Sequence, residues 1–127
     1  MTTIDRRRSY QDATLMLQLA QWGAASGLPE ATNWMWSEQF VPDYTEFVEK
    51  YPPGSEGFRN VSNICGWFET LGTLYKHGLF NEELLFDWLA VGLVWDRIKG
   101  FALGMREQFG EPRLYENFEA MAKAQKG

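Results

Sequence analysis

Apolar residues recur three and four positions apart along nearly the whole chain, and no stretch sustains the alternation of a half-buried strand. The first stripe is Leu15, Met16, Leu19 and Trp22. Ser9 and Asp12 precede it at the spacing of a capping box, so a first helix is expected to start near Ser9, with Gly23 and Gly27 closing it. A second helix opens after Leu28, with Pro29 and Glu30 in its first turn, where a missing N–H and a negative charge are both favourable. It carries Trp34, Met35, Trp36 and Phe40 until Pro42 interrupts it. A short helical piece around Tyr44, Phe47, Val48 and Tyr51 then meets the Pro52-Pro53-Gly54 loop.

The second half is patterned more strongly. Phe58, Val61, Cys65, Phe68, Gly72 and Tyr75 form one helical stripe, widened by Ile64 and Leu71. Lys76 and His77 suit the last turn of that helix, and Gly78 is its natural left-handed stop. Asn81 caps the next helix, with Glu82 and Glu83 in its first turn. From Leu84 through Trp88, Val91, Trp95, Ile98, Ala102 and Met105 to Phe109 the spacing never breaks, which predicts one helix of about 28 residues and about 42 Å. The short connection makes the two helices an antiparallel hairpin. Gly110 and Pro112 end the long helix, and Leu114, Tyr115, Phe118, Met121 and Ala122 mark a final amphipathic one. The expected architecture is all-α: a single domain over 1–127, with five to six helices built on that long hairpin. Residues 1–8 and 123–127 are expected to fray.

Composition narrows the function classes. The chain has 127 residues, 45% of them hydrophobic and 16% aromatic, enough apolar mass for one core and too much for a disordered chain. The net charge of −5 argues against nucleic acid as a partner. No apolar run reaches about 18 residues, so no membrane span is expected. Arg6, Arg7 and Arg8 are followed by Gln11 and Asp12 rather than an apolar core, which is no secretion signal; a cytoplasmic protein is the expectation. One cysteine, Cys65, excludes an internal disulfide, and one histidine, His77, excludes the Glu-x-x-His pairs of a di-iron bundle. No metal and no cofactor is expected. The phosphate-loop, dinucleotide and nucleophile-elbow patterns are absent, so the reading leans away from an enzyme.

A few residues stand out against that background. Cys65 lies on the apolar stripe and should be buried against Val91 to Trp95. Glu69 sits at the edge of the same stripe, where an unpaired carboxylate is costly. The facing stretch from Phe86 to Val94 offers it no cation, so a buried Glu69 has to bond to another helix, through an indole N–H, an arginine or a hydroxyl. A solvated edge position and a functional pocket are the other two readings. Arg97 and Arg106 flank the apolar stripe of the long helix, and Arg59 falls within reach of Asp96 across the hairpin. Residues 29–56 hold Glu30, Glu38, Asp43, Glu46, Glu49 and Glu56 against Lys50 alone, a balance of −5 that leaves the rest of the chain neutral.

The run Trp67-Phe68-Glu69-x-Leu71-Gly72, the turn Lys76-His77-Gly78-Leu79-Phe80, Trp95, Arg106 and the run Tyr115-Glu116-Asn117-Phe118-Glu119 together resemble a bacterial family, domain of unknown function 4760. Phe80-Asn81 stands where Ile-Asp is more usual in that family, and Asn caps as Asp does. The likeness covers roughly residues 10–122. It implies an all-helical fold and brings no activity with it. Many relatives carry an N-terminal membrane anchor; none is expected in this chain.

Two functions compete. The first is a non-catalytic interaction module that self-associates, because a second apolar row, Phe86, Leu89 and Leu93, runs beside the first on the long helix and suits a homodimer contact or another protein partner. The second is a small-molecule or peptide binder, with Trp22, Trp34, Trp67 and Trp88 lining a pocket near Glu69.

Overall fold

The computed structural model describes residues 6–127. Seven α-helices follow in chain order, and no strand occurs among the described residues: α1 (Arg6–Ala25), α2 (Leu28–Met35), α3 (Tyr44–Lys50), α4 (Glu56–Lys76), α5 (Glu82–Trp88), α6 (Val91–Phe109) and α7 (Glu116–Lys126). The all-α bundle read from the periodicity is the fold the chain adopts. Helix ends fall where side-chain chemistry puts them. The side chains of Asp43, Ser55 and Asn81 accept from the N–H three residues on and cap α3, α4 and α5. At Gly78 (φ 70°) α4 stops in a Schellman arrangement, with Leu79 N–H bonded to the Leu74 carbonyl and Gly78 N–H to that of Tyr75. No helix among the described residues is long and apolar enough to cross a membrane.

The long helix expected from Leu84 to Phe109 is two helices. Leu89 takes an extended conformation (φ −126°, ψ 136°), α5 ends at Trp88, and α6 begins at Val91 without a side-chain cap. A helix broken here leaves donors and acceptors unpaired. The Gln125 amide meets them from α7: its Nε2 donates to the carbonyls of Leu89 (2.7 Å) and Phe86 (3.4 Å), and its Oε1 accepts from Gly92 N–H (2.8 Å). This also corrects the expectation of a fraying tail. Helix α7 runs to Lys126, and Lys126 pairs with Asp96 on α6. The expectation for residues 1–8 falls mainly outside the described residues. At Ser9 the backbone is already helical, and the Asp12 carboxylate accepts from Asn81 N–H (3.3 Å), so it ties α1 to the start of α5 instead of closing a capping box.

Helix α4 packs most extensively on α7 and α2, and α7 also lies along α6. The core has two aromatic zones. Edge-on contacts link Trp34, Phe47, Phe101 and Phe58 at one end of α4. At its middle, Trp67, Phe68, Phe118 and Trp95 join α4, α6 and α7. Val61, Ile64, Cys65, Ile98 and Ala102 are fully buried as well.

Candidate functional site

Glu69 supplies the cap of a helix 48 residues away. Its Oε1 accepts from the N–H groups of Asn117 (3.0 Å) and Phe118 (2.9 Å), which are free in the first turn of α7. Tyr115, the residue in the capping position, has a left-handed backbone (φ 60°) and offers no side-chain bond of its own. The carboxylate also lies at the positive end of the α7 dipole. One helical turn further along α4, a Cβ on Gly72 would come within 2.6 Å of the Asn117 carbonyl carbon and oxygen, so glycine is what permits the approach. Thr73 Oγ1 accepts from Asn117 Nδ2 (3.2 Å). Glu69, Gly72 and Thr73 form one seat for α7.

The first turn of α7 is gripped on its other side as well. The Phe118 ring stacks on Phe68 (4.8 Å, 14°) and meets Trp95 edge-on (5.0 Å). Glu119 pairs with Arg106 (2.9 Å), whose Nε donates to the Leu114 carbonyl and whose guanidinium lies 6.0 Å from the Trp95 ring centroid. Burial raises the pKa of Glu119, but the hydrogen bond and charge of Arg106, with Lys123 beside it, outweigh burial and hold the carboxyl below its usual range. Burial, with Cys65 and Glu69 nearby, pushes the Tyr115 phenol up to about 12, and burial and Glu69 push the Cys65 thiol up too. A cleft of about 410 Å³ opens beside this seat, lined by Gly66, Glu69, Arg113, Tyr115 and Asn117 among others. Neither its phenol nor the thiol behind it ionises near neutral pH. The Glu69 oxygen in it already accepts two backbone N–H groups.

The tryptophans expected around Glu69 do not converge there. Trp67 is buried and donates to the Leu19 carbonyl (3.0 Å), but two residues separate it from Glu69, about 200° around the helix. Trp88 meets Trp67 edge-on (5.7 Å) on that far side. Trp34 belongs to the α2–α3 cluster with Phe40, Phe47 and Tyr51, and Trp22 is 44% exposed on α1. The proposed dimer row is also split. Phe86 packs on Tyr75 (5.6 Å), Leu89 lies half-buried at the helix break, and only Leu93 stands open. Because the chain leaves helical geometry at Leu89 and Ala90, the three residues share no continuous face.

Cys65 is buried as expected. Arg97 caps the end of α2, donating from Nε to the Met35 carbonyl (3.0 Å) and from Nη2 to that of Ser37 (3.1 Å), with its plane 4.8 Å from the Phe40 ring centroid. Arg59 does not reach Asp96, which pairs instead with Lys99 and Lys126. Sequence reasoning missed Gln125 and Arg97 as fold-closing residues. A lone amide in a terminal segment carries no local signal. An arginine beside an apolar stripe does, if its guanidinium is counted as a donor to open carbonyls.

Helices α4, α6 and α7, joined at a carboxylate-capped N-terminus, define an all-α domain whose polar residues are engaged in holding its last helix. The chain belongs to the domain-of-unknown-function family DUF4760, whose family model matches residues 9–125. Of the motifs that carried the resemblance, Phe68-Glu69 with Gly72, Trp95, Arg106 and Asn117-Phe118-Glu119 meet at this junction, and the turn from Lys76 to Phe80 ends α4. No curated protein and no solved structure matches the chain.

Proposed function

We propose that this protein is a non-catalytic helical interaction module that self-associates, and that its contact element is α1. One observation carries the reading. From Ala13 to Pro29 the sequence has no charged residue, yet Tyr10 (76%), Leu17 (59%) and Trp22 (44%) on α1 are open to solvent. Each of the other helices carries charged residues among its exposed positions. The part of α1 from Ala13 on has none, and a solvent-facing helical stretch without charge is a surface suited to another protein. The commitment of the Glu69 carboxylate to backbone capping, and of the Cys65 thiol to the core, supports a role without catalysis. A cytoplasmic setting fits, since there the single thiol stays reduced. The reading requires neither cofactor nor nucleic acid.

Sedimentation equilibrium tests it. The expected result is an average mass that rises above the 14.7 kDa monomer as concentration rises. A mass fixed at the monomer value across the accessible range overturns the reading.

A further inference from the structure

We propose a ligand site in the cleft between the end of α1 and the start of α4: it takes a zwitterionic α-amino acid, carboxylate toward Arg59 and ammonium toward Glu30. The cleft has a volume of about 800 Å³ and is bounded by the last residues of α1, the loop at Gly54 and the first turns of α4. That volume lies within the range of small-molecule sites. Its walls are joined without any ligand. Asn63 Nδ2 donates to the Ser26 carbonyl (2.9 Å), and one turn further along α4 Trp67 Nε1 donates to that of Leu19 (3.0 Å). A cleft already formed loses little on binding.

Its two charged groups have no structural work. Elsewhere Arg97 and Arg106 bond to open carbonyls, Glu69 caps α7, and Asp96 and Glu119 pair with cations. Glu30 and Arg59 both line the cleft, yet neither enters an ion pair among the described residues, with each other or elsewhere. Arg59 is the only cation between Lys50 and Lys76 and stands four residues after the Ser55 cap. So close to the positive end of the α4 dipole a cation is unfavourable by itself, and an arriving anion is favoured. Glu56, in the same first turn, does not line the cleft. Glu30 governs the other end, its Oε2 3.8 Å from the point where a Cβ on Gly27 would stand. The dipoles of α1 and α2 oppose each other there, so the carboxylate sets the sign.

This pairing of charges selects the ligand. A simple anion drawn to Arg59 meets repulsion from Glu30, and a simple cation meets the reverse; a molecule with both charges satisfies both. Asn63 bonds to the residue before Gly27, so the Glu30 end lies by Asn63, and Arg59 stands one turn, about 6 Å, along α4 from it. So short a separation favours an ammonium and a carboxylate carried on one carbon over the distant ends of a longer peptide. Ala24, Ala25 and Phe58 complete the lining and suit an aliphatic side chain. Leucine has all three parts.

Proton–nitrogen correlation spectra of the whole chain test the site. Free L-leucine is expected to shift the amides of Ser26 and Gly27 and the side-chain amide of Asn63, saturating in the millimolar range. N-acetylleucine lacks the ammonium and leucinamide lacks the carboxylate, so each is expected to bind about fivefold more weakly. Glu30→Gln and Arg59→Gln alter exposed side chains and are expected to keep the wild-type circular dichroism spectrum while weakening leucine by a similar factor. Crossing the two sets tests the assignment of each end. N-acetylleucine should bind Glu30→Gln as well as leucine does, and leucinamide should match leucine on Arg59→Gln. Equal binding of all three ligands to the wild type overturns the proposal. So does a leucine response that survives both substitutions, or the lack of any saturable shift at these amides. None of these outcomes depends on whether the chain self-associates.

Discussion

At the scale of single residues, Glu69 and Gly72 make opposed demands on the same turn of α4: one reaches out to α7, the other stays out of its way. Glu69→Ala removes a charged acceptor from two backbone donors and is expected to lower unfolding free energy by about 2 kcal/mol, read from urea denaturation. Glu69→Gln retains an acceptor oxygen and is expected to lose about half of that. A Cβ at Gly72 meets backbone atoms, which do not swing aside as a side chain does. Gly72→Ala is therefore expected to cost about 1–3 kcal/mol. Gly66, on the same helix, has nothing within 4 Å of an added Cβ. There the same substitution is expected to stabilise by about 0.5–1 kcal/mol through helix propensity. Equal effects at the two glycines would contradict the close seating of α7.

At the scale of elements, the break between α5 and α6 depends on a side chain from elsewhere in the chain. Gln125→Ala leaves two carbonyls and one N–H without their partner and is expected to destabilise by about 1–3 kcal/mol. Hydrogen exchange at Gly92 N–H should quicken more than at amides in the middle of α6. Lys126→Ala, one residue on, removes an exposed ion pair and the stem that lies over Gly92, and should destabilise less than Gln125→Ala. The break was not legible in the sequence. Ala90 favours helix, Gly92 falls just inside the new helix rather than at the break, and Trp88, Val91 and Trp95 keep helical spacing across it. Gly78, Asn81 and Gly110 were legible because their signals are local: two positive φ angles and a side-chain cap. Glu69 lay between these cases. Lack of a cation opposite it implied a bond to another helix, but backbone N–H groups leave no trace in residue type, so the donor stayed hidden.

At the scale of the whole molecule, α7 closes the bundle through two ion pairs to α6, Arg106–Glu119 and Lys126–Asp96. Hydrogen bonds and charge from Lys126, against a small burial effect and with Lys99 assisting, hold Asp96 below its usual range. Arg106 does the same for Glu119. Carboxyls with lowered folded-state pKa stabilise above the ordinary carboxylate range, and that contribution is lost as pH falls through the lowered values. Stability is thus expected to drop below about pH 4. Glu119→Gln should flatten part of that drop and lower stability at neutral pH; an unchanged acid limb would show that the pair does not couple to folding. The apolar surplus seen in the sequence was read onto α6, yet its open leucines, Leu93 and Leu103, sit ten residues and about 80° apart with Asp96 and Lys99 between them. On α1 the mark is a different one: no charged residue occurs from Ala13 to Pro29, and Leu17 and Trp22 stand open.

The perpendicular pair Trp67 and Trp88 has an optical consequence. Two indoles 5.7 Å apart at 79° are close enough for their excited states to mix, and such a pair contributes a signed couplet to circular dichroism that neither ring gives alone. One ring belongs to α4 and bonds to α1 through Leu19, and the other belongs to α5. The couplet therefore reports, without any added label, whether α4 and α5 keep their relative seating. Trp22, 44% exposed on the flank of α1, emits from a wetter environment than the buried Trp67. The two signals separate the seating of α4 against α5 from a change of environment at the flank of α1.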